Sequence, residues 1–279
     1  MSFYISLSGL KGAQTSLSTI SNNVANVNST AFKKSVANFG DIFSAAPMQT
    51  TNQVTGQGVR VQSIAQQYTQ GTIETTDKTL DLAITGEGFF TVKRPDDGQI
   101  SYTRNGAFSV DENRFVLDTT GARLQVIPVD ATTGEPTVNG TTDSSALTDL
   151  QVPTTLNNAG TVQLTSVAVN EKGIVSAVYA DGTTVALGAV AMASFNAQDG
   201  LRQRGDAHWV STLESGAATY GTGNQGLYGA VRSGALERSN VDITDELVQL
   251  IAAQRNFQAN AKAIEAANTL TTTIVNIRS

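Results

Sequence analysis

The two ends of this chain carry a helical apolar repeat and the middle does not, which constrains the fold more than any other feature. From Phe3 to Val27 one position recurs every seven residues as Phe3, Leu10, Leu17 and Val24. A second, three residues later, reads Ser6, Ala13, Ile20 and Val27. That is an a/d seam, with small residues at the d positions nearest the start. At the other end Ile243, Leu247, Leu250, Phe257 and Ile264, then Leu270, Ile274 and Ile277, recur with no Gly or Pro between them. Asp242 is placed to cap that helix, and Asp245 and Glu246 put negative charge in its first turn, where the dipole favours it. A helix from Asp242 to Ile277 is roughly 54 Å long at ~1.5 Å per residue.

Between the ends the period changes to two. LDLAI (Leu80–Ile84), FFTVK (Phe89–Lys93), ISYTR (Ile100–Arg104), AFSV (Ala107–Val110), RFVL (Arg114–Leu117) and RLQVIPV (Arg123–Val129) read as strands separated by TGEG, PDDG, NG, DEN and DTTG turns. A second β-rich block runs from Val162 to Phe195, with a hairpin turn at Asp181–Gly182. Thr132–Thr161 is rich in Thr, Asn, Gly and Ser, and Thr50–Gly71 is polar, Gln-rich and extended.

The fold class that follows is α+β, in which terminal α-helices pair as a coiled coil and a central β-rich domain is inserted between them. The expected boundaries are 1–30 and 240–279 for the helices and 31–70 for an extended linker. Residues 71–131 and 162–239 make the β-domain, and 132–161 a reduced insert or connection. The alternative, in which both helices pack on the β-domain as ordinary core elements, stays open at this point.

Charge narrows the choice. Charged residues are 15% of the chain, below the ~25% of ordinary soluble domains. Lys11 is the sole charge before Lys33. A helix facing water gains solubility from charge, so the Ser, Thr and Asn face of Ser16–Ser35, uncharged as far as Lys33, suggests protein on more than one side or a surface kept neutral. Net charge −6 and a pI near 4.8 argue against a phosphate-neutralising surface, which needs clustered Lys and Arg, so no nucleic acid is expected. Cysteine is absent, which removes disulfides and thiolate metal sites. No run reaches the ~18 apolar residues of a membrane span. The N-terminus lacks a basic n-region, so the expectation is either a cytoplasmic protein or export without a cleaved signal.

No catalytic constellation stands out. His208, the only histidine, adjoins Trp209, the only tryptophan, and a lone histidine is more often structural. There is no GxSxG elbow and no P-loop. GTGNQG (Gly221–Gly226) matches GxGxxG by letter, but no strand precedes it and no helix follows, so it reads as a surface loop. Asp96/Asp97 and Asp111/Glu112 fall in turns, where acidic residues are ordinary.

Several stretches, in order along the chain, resemble the bacterial flagellar rod and hook family. LSGLKGAQTSLSTISNNVANVNSTAFKKS is similar to the family's opening, an LxGL start followed by a helix and NNxANxxTxGFK. LYGAVRSGALERSNVDITDELVQLIAAQRNFQANAKAI is similar to its closing signature, GxLExSNVD followed by E, LI, QR and YQANAK. LDLAITGEGFFTV and YTRNGAFSVDEN resemble its first β-domain, and VALGAVAMASFNAQDGLRQRGDAHWVST and the ending IVNIRS are similar to its hook branch. Two departures matter. Ala31 stands where the family has Gly, which argues against a left-handed backbone there. Only Thr132–Thr161 is available where hook proteins insert an outer domain, which implies a reduced or missing outer domain, or else a compact distal-rod subunit.

The resemblance implies a structural subunit, not an enzyme, with no cofactor and no metal. It implies export through the flagellum's own type III apparatus and a place in the hook, outside the cell. There the chain would polymerise with itself into a tubular universal joint between rod and filament. Its other partners would be rod, hook-cap and hook–filament junction proteins and the export apparatus, with no insertion into a membrane. Leu7, Leu10, Leu17, Ile20 and Val24 are expected to pack against Leu247, Leu250, Phe257 and Ile264. Asn22, Asn23 and Asn26 are expected to satisfy hydrogen bonds where the first helix ends, and Gln254, Arg255, Asn256 and Asn260 to make subunit contacts. A secreted β-module that binds a surface glycan is the alternative from a different class.

Overall fold

The computed structural model describes residues 2–42, 56–130, 135–155 and 162–278. Parts of the expected 31–70 segment and of the 132–161 connection lie outside the described residues, as do the side chains of Ile274 and Ile277. The chain divides into two compact units, one of Met1–Asn28, Lys33–Tyr68 and Val241–Ser279, the other of Ser29–Phe32 and Thr69–Asn240.

The first unit holds helix α1 (Ser2–Ala25), strands β1 (Ser35–Asp41) and β2 (Val59–Gln66), and helix α2 (Ile243–Arg278). Both helices form where the apolar repeat predicts them. Asp242 caps α2: its Oδ1 accepts from the amides of Thr244 at 2.7 Å and Asp245 at 3.3 Å. A cap of this kind stabilises a helix by about 1 kcal/mol. Near the far end the hydroxyls of Thr269, Thr271, Thr272 and Thr273 each donate to the carbonyl four residues back, so the Thr run satisfies its polar side chains within the helix. Strands β1 and β2 pair antiparallel from Ser35↔Gln66 to Asp41↔Val59, with a bulge at Asn38/Phe39.

The second unit is almost all antiparallel sheet. Its strands are β3 (Ile73–Thr75), β4 (Leu82–Thr85), β5 (Phe89–Lys93), β6 (Ile100–Thr103), β7 (Ser109–Val110), β8 (Val116–Leu117) and β9 (Arg123–Ile127). There follow β10 (Thr148–Asp149), β11 (Leu164–Val169), β12 (Ile174–Tyr179), β13 (Thr184–Val190) and β14 (Met192–Ser194). The last are β15 (Arg202–Gly205), β16 (His208–Val210), β17 (Thr219–Gly221), β18 (Ala230–Ser233) and β19 (Ala235–Glu237). The main path runs β11-β12-β13-β9-β5-β6-β16-β15, while β18 pairs with β4 and β19 with β3. The DG turn closes β12–β13 as expected: Gly182 takes φ +81° and its amide donates to the Tyr179 carbonyl.

Strand β5 explains why FFTV lacks alternation. It is buried on both faces: Phe90 and Val92 join Leu82, Val116, Leu124 and Met192 in the main cluster, while Phe89 meets Trp209 and Phe195 edge to face. The described part of the 132–161 connection belongs to this unit, and Leu147, Leu150 and Val152 in it are buried.

One expectation is overturned. Ala31 is left-handed, at φ +56°, although it is not glycine. The methyl group is fully buried, and the amide donates to the Glu237 carbonyl at 2.8 Å. Those contacts hold a conformation that costs an L-residue about 1–2 kcal/mol.

Candidate functional site

The site is the helix pair. Along α2 the shielded positions are Glu246, Leu250, Ala253, Phe257, Asn260, Ile264 and Ala267, alternating four and three residues apart, with Ala261 beside them. This is one heptad stripe. Two contacts fix how α1 lies against it. A Cβ added at Gly9 would stand 2.6 Å from the Asn260 side-chain oxygen. Asn23 Nδ2 donates to Glu246 Oε2 at 3.2 Å. Residues 9 and 23 thus face 260 and 246, fourteen residues apart on each helix and in opposite chain directions, so the pair is antiparallel.

Small side chains make the approach close. Gly9, Ala13, Ser16, Ile20 and Asn23 of α1 share the heptad spacing, one residue out of phase with Leu10, Leu17 and Val24. Gly9, Ala13, Ser16 and Ile20 line a groove of about 440 Å³ with Ala253, Asn256 and Asn260 of α2 and with Phe39 and Val59 of the strands. The β1–β2 ladder is pinned to α1 at two points. Ser8 Oγ accepts from the Val59 amide at 3.1 Å, and Asn23 exchanges two 2.9 Å bonds with the Ser35 amide and carbonyl. Asn23, 1% exposed, therefore spends both amide hydrogens and its oxygen on two other elements of this unit, β1 and α2.

Of the residues singled out from sequence, Ile20 and Asn23 are buried, while Leu7, Leu10, Leu17, Val24, Asn26, Leu250, Phe257, Asn260 and Ile264 are half-buried. Asn26 Nδ2 bonds the Asn22 carbonyl at the end of α1. Asn22, Gln254, Arg255 and Asn256 point to solvent, as does Leu247, which is 46% exposed and off the stripe. Leu270 is 65% exposed and lies beyond Ala267, which the pairing register places opposite Ser2.

The second unit gives the motif GALERSNVD a structural role that sequence reasoning did not assign residue by residue. Glu237 Oε1 accepts from the Gly71 amide at 2.8 Å, and its Oε2 lies 3.5 Å from Arg104 Nη1, both side chains being buried. Burial lowers the Arg104 guanidinium from its ordinary range, and the Glu237 carboxylate opposes that shift. Asn240 Nδ2 donates to the Thr69 carbonyl and hydroxyl, and the Asn240 amide donates to Phe32. The motif itself was the available signal.

His208 has a structural setting. Nδ1 faces the Asp206 carbonyl at 2.8 Å and must donate, since a carbonyl only accepts. Nε2 faces Asp118 Oδ2 at 2.6 Å, so no ring nitrogen is left for a nucleophile. Burial would raise the Asp118 carboxyl, but hydrogen bonds from His208, Thr120 and the Ala122 amide outweigh it and lower it below the usual range. No group of three or more His, Cys, Asp or Glu suited to a metal occurs among the described residues.

Comparison with known proteins fits this arrangement. Residues 3–33 match the family described as flagella basal body rod protein. Residues 83–177 match the flagellar hook protein FlgE/F/G D1 domain, and 232–277 the flagellar basal body rod FlgEFG protein C-terminal region. The flagellar hook protein FlgE of Escherichia coli (strain K12) is 28% identical over 410 positions, 131 more than the 279 residues here, with all of both chains covered. The flagellar basal-body rod protein FlgG of Bacillus subtilis (strain 168) is 33% identical over 290 positions, covering 99% of this chain and 98% of that one. FlgG of Buchnera aphidicola subsp. Acyrthosiphon pisum (strain APS) is 31% identical over 275 positions, covering 94% of each chain. With its ends and its β-rich middle all matched in order, the chain belongs to the flagellar hook and basal-body rod protein family.

Proposed function

We propose that this chain is the structural subunit of the flagellar hook and polymerises with itself into the tubular, flexible joint between rod and filament. The observation that carries the reading is the surface of α2. Within one copy only a single stripe is covered, while Leu247, Val248 and Ile251 stand 46%, 63% and 50% exposed. Contiguous exposed apolar side chains on a long helix mark an interaction surface. In a polymer, neighbours cover them, and Asn22, Gln254 and Arg255 face other copies. Residues 1–30 and 240–279 are the polymerising helices, 31–70 the segment between, and 71–131 with 162–239 the β-domain. Residues 132–161 stand in place of a hook outer domain, in keeping with the 131 surplus positions of the FlgE alignment. The reading entails export by the flagellum's own apparatus without a cleaved signal, and contact with rod, cap and junction proteins.

A distal-rod subunit is the second reading. It is favoured by the Bacillus subtilis FlgG alignment, which is only 11 positions longer than this chain. Electron microscopy of basal bodies from a deletion strain, with the labelled subunit restored, separates the two. Complete rods without hooks, and label in the restored hooks, are expected; rods that end short of the hook would overturn the hook assignment.

A further inference from the structure

Among the exposed apolar side chains of the first unit, two groups on the helices cannot cover each other within one copy. One is the start of α1, where Phe3, Tyr4 and Ile5 are 38%, 73% and 40% exposed and the two rings meet edge to face. The other is the ridge Leu247, Val248 and Ile251 on α2. The pairing register puts Ile5 opposite Ile264, so the patches lie roughly 25 Å apart along the pair at ~1.5 Å per residue.

The chemistry of the two patches is complementary. Beside the ridge runs a groove of about 350 Å³ lined by Val248, Ile251, Ala252, Arg255 and Asn256. That volume accepts an aromatic ring. The Arg255 guanidinium offers a cation–π partner and the Asn256 amide a hydrogen bond for a phenol. The first turn of α1 carries no acidic residue, and Lys11 is the only charge before Lys33, so this end of the helix is electropositive. The α2 ridge is flanked by the exposed carboxylates Asp242 and Asp245. The six side chains expose on the order of 600 Å², well under the ~1,200 Å² of a stable two-body interface. Such a contact holds only when each copy makes several.

We propose that the aromatic start of α1, led by Tyr4, packs into the Val248–Ile251–Arg255 groove of a second copy and forms a head-to-tail contact of the polymer. This inference rests on the polymerisation reading and names which surfaces meet. Two different patches in contact make a heterologous interface, which repeats without closing and so propagates a filament.

The absence of cysteine supplies a clean test. In full-length chain carrying Ile5→Cys and Ala252→Cys, Tyr4 and the ridge stay intact. The two sites on one copy lie roughly 18 Å apart by the helix rise, beyond the ~7 Å limit for a disulfide. Oxidation of assembled double variant is expected to give a ladder of covalent oligomers, and a mixture of the two single variants dimers only. Polymer visible by electron microscopy that gives no ladder overturns the contact. Hydroxyl-radical footprinting of the unaltered chain guards against a variant that does not assemble. Labelling of Phe3, Tyr4 and Leu247 should fall together on polymerisation, and unchanged labelling in polymer overturns the contact. If the unaltered chain forms no polymer under any condition, the polymerisation reading itself fails and takes this contact with it.

Discussion

Replacing Asn23 by Asp tests the helix pair at its most connected point. The substitution keeps the shape but removes both N–H donors, one to the Ser35 carbonyl at 2.9 Å and one to Glu246 Oε2 at 3.2 Å. It also sets a carboxylate against Glu246, which is only 2% exposed. Even after relaxation to ~4 Å, two like charges at an effective dielectric of ~20 repel by about 4 kcal/mol. The two lost hydrogen bonds add about 1 kcal/mol each. A loss of this size opens the α1–α2 contact. Amide exchange read by mass spectrometry should accelerate across Ser16–Ala25 and the first turns of α2. Fluorescence of Trp209, the only tryptophan and buried in the β-unit, should not change. Adding Glu246→Gln restores a donor opposite the new carboxylate and should recover most of the protection, leaving a deficit of about 1 kcal/mol for the unpaired Ser35 carbonyl. Unchanged exchange in Asn23→Asp, or no recovery in the double variant, would refute the reasoning.

Three further outcomes follow from the same structure. Gly106→Ala should destabilise the β-unit by about 3 kcal/mol or more, since its Cβ would stand 1.7 Å from the Leu82 carbonyl oxygen, a backbone atom that cannot step aside; denaturant unfolding followed by Trp209 measures it. Leu250→Asp puts a charge on the covered stripe of α2 and should abolish polymerisation while Trp209 fluorescence stays native; normal polymers from this variant would count against the stripe. The His208–Asp118 pair predicts acid sensitivity. A carboxyl held low in the folded state adds stability that is complete above its unfolded value of ~3.9 and is lost as pH falls through the lower folded value. Asp118→Asn should be less stable at neutral pH and should flatten that acid slope; an unaltered slope would remove Asp118 as its source.

Both helices, the Asp242 cap, the Asp181–Gly182 hairpin and strand β5 were legible in the sequence because local pattern decides them. The phase of the α1 seam was not. Hydrophobicity selects Leu10, Leu17 and Val24, whereas close approach selects Gly9, Ser16 and Asn23, whose smallness or amide matters only once a second helix is present. Ala31 misled for a related reason: its left-handed backbone is held by the Glu237 carbonyl, two hundred residues along the chain. The burial of Leu147, Leu150 and Val152 was hidden by the Thr- and Gly-rich composition around them. The role of Asn23 was half visible: the NNVAN motif marked a helix end rich in hydrogen-bonding groups, but its partners Ser35 and Glu246 come from elements that only the fold brings together.

The most direct measurement is electron cryomicroscopy of material assembled from the purified full-length chain. The expected result is an open helical tube built from this chain, in which neighbouring copies cover the α2 ridge of Leu247, Val248 and Ile251 that one copy leaves exposed. A chain that stays monomeric at every concentration, together with a deletion strain that still builds normal hooks and rods, would contradict it.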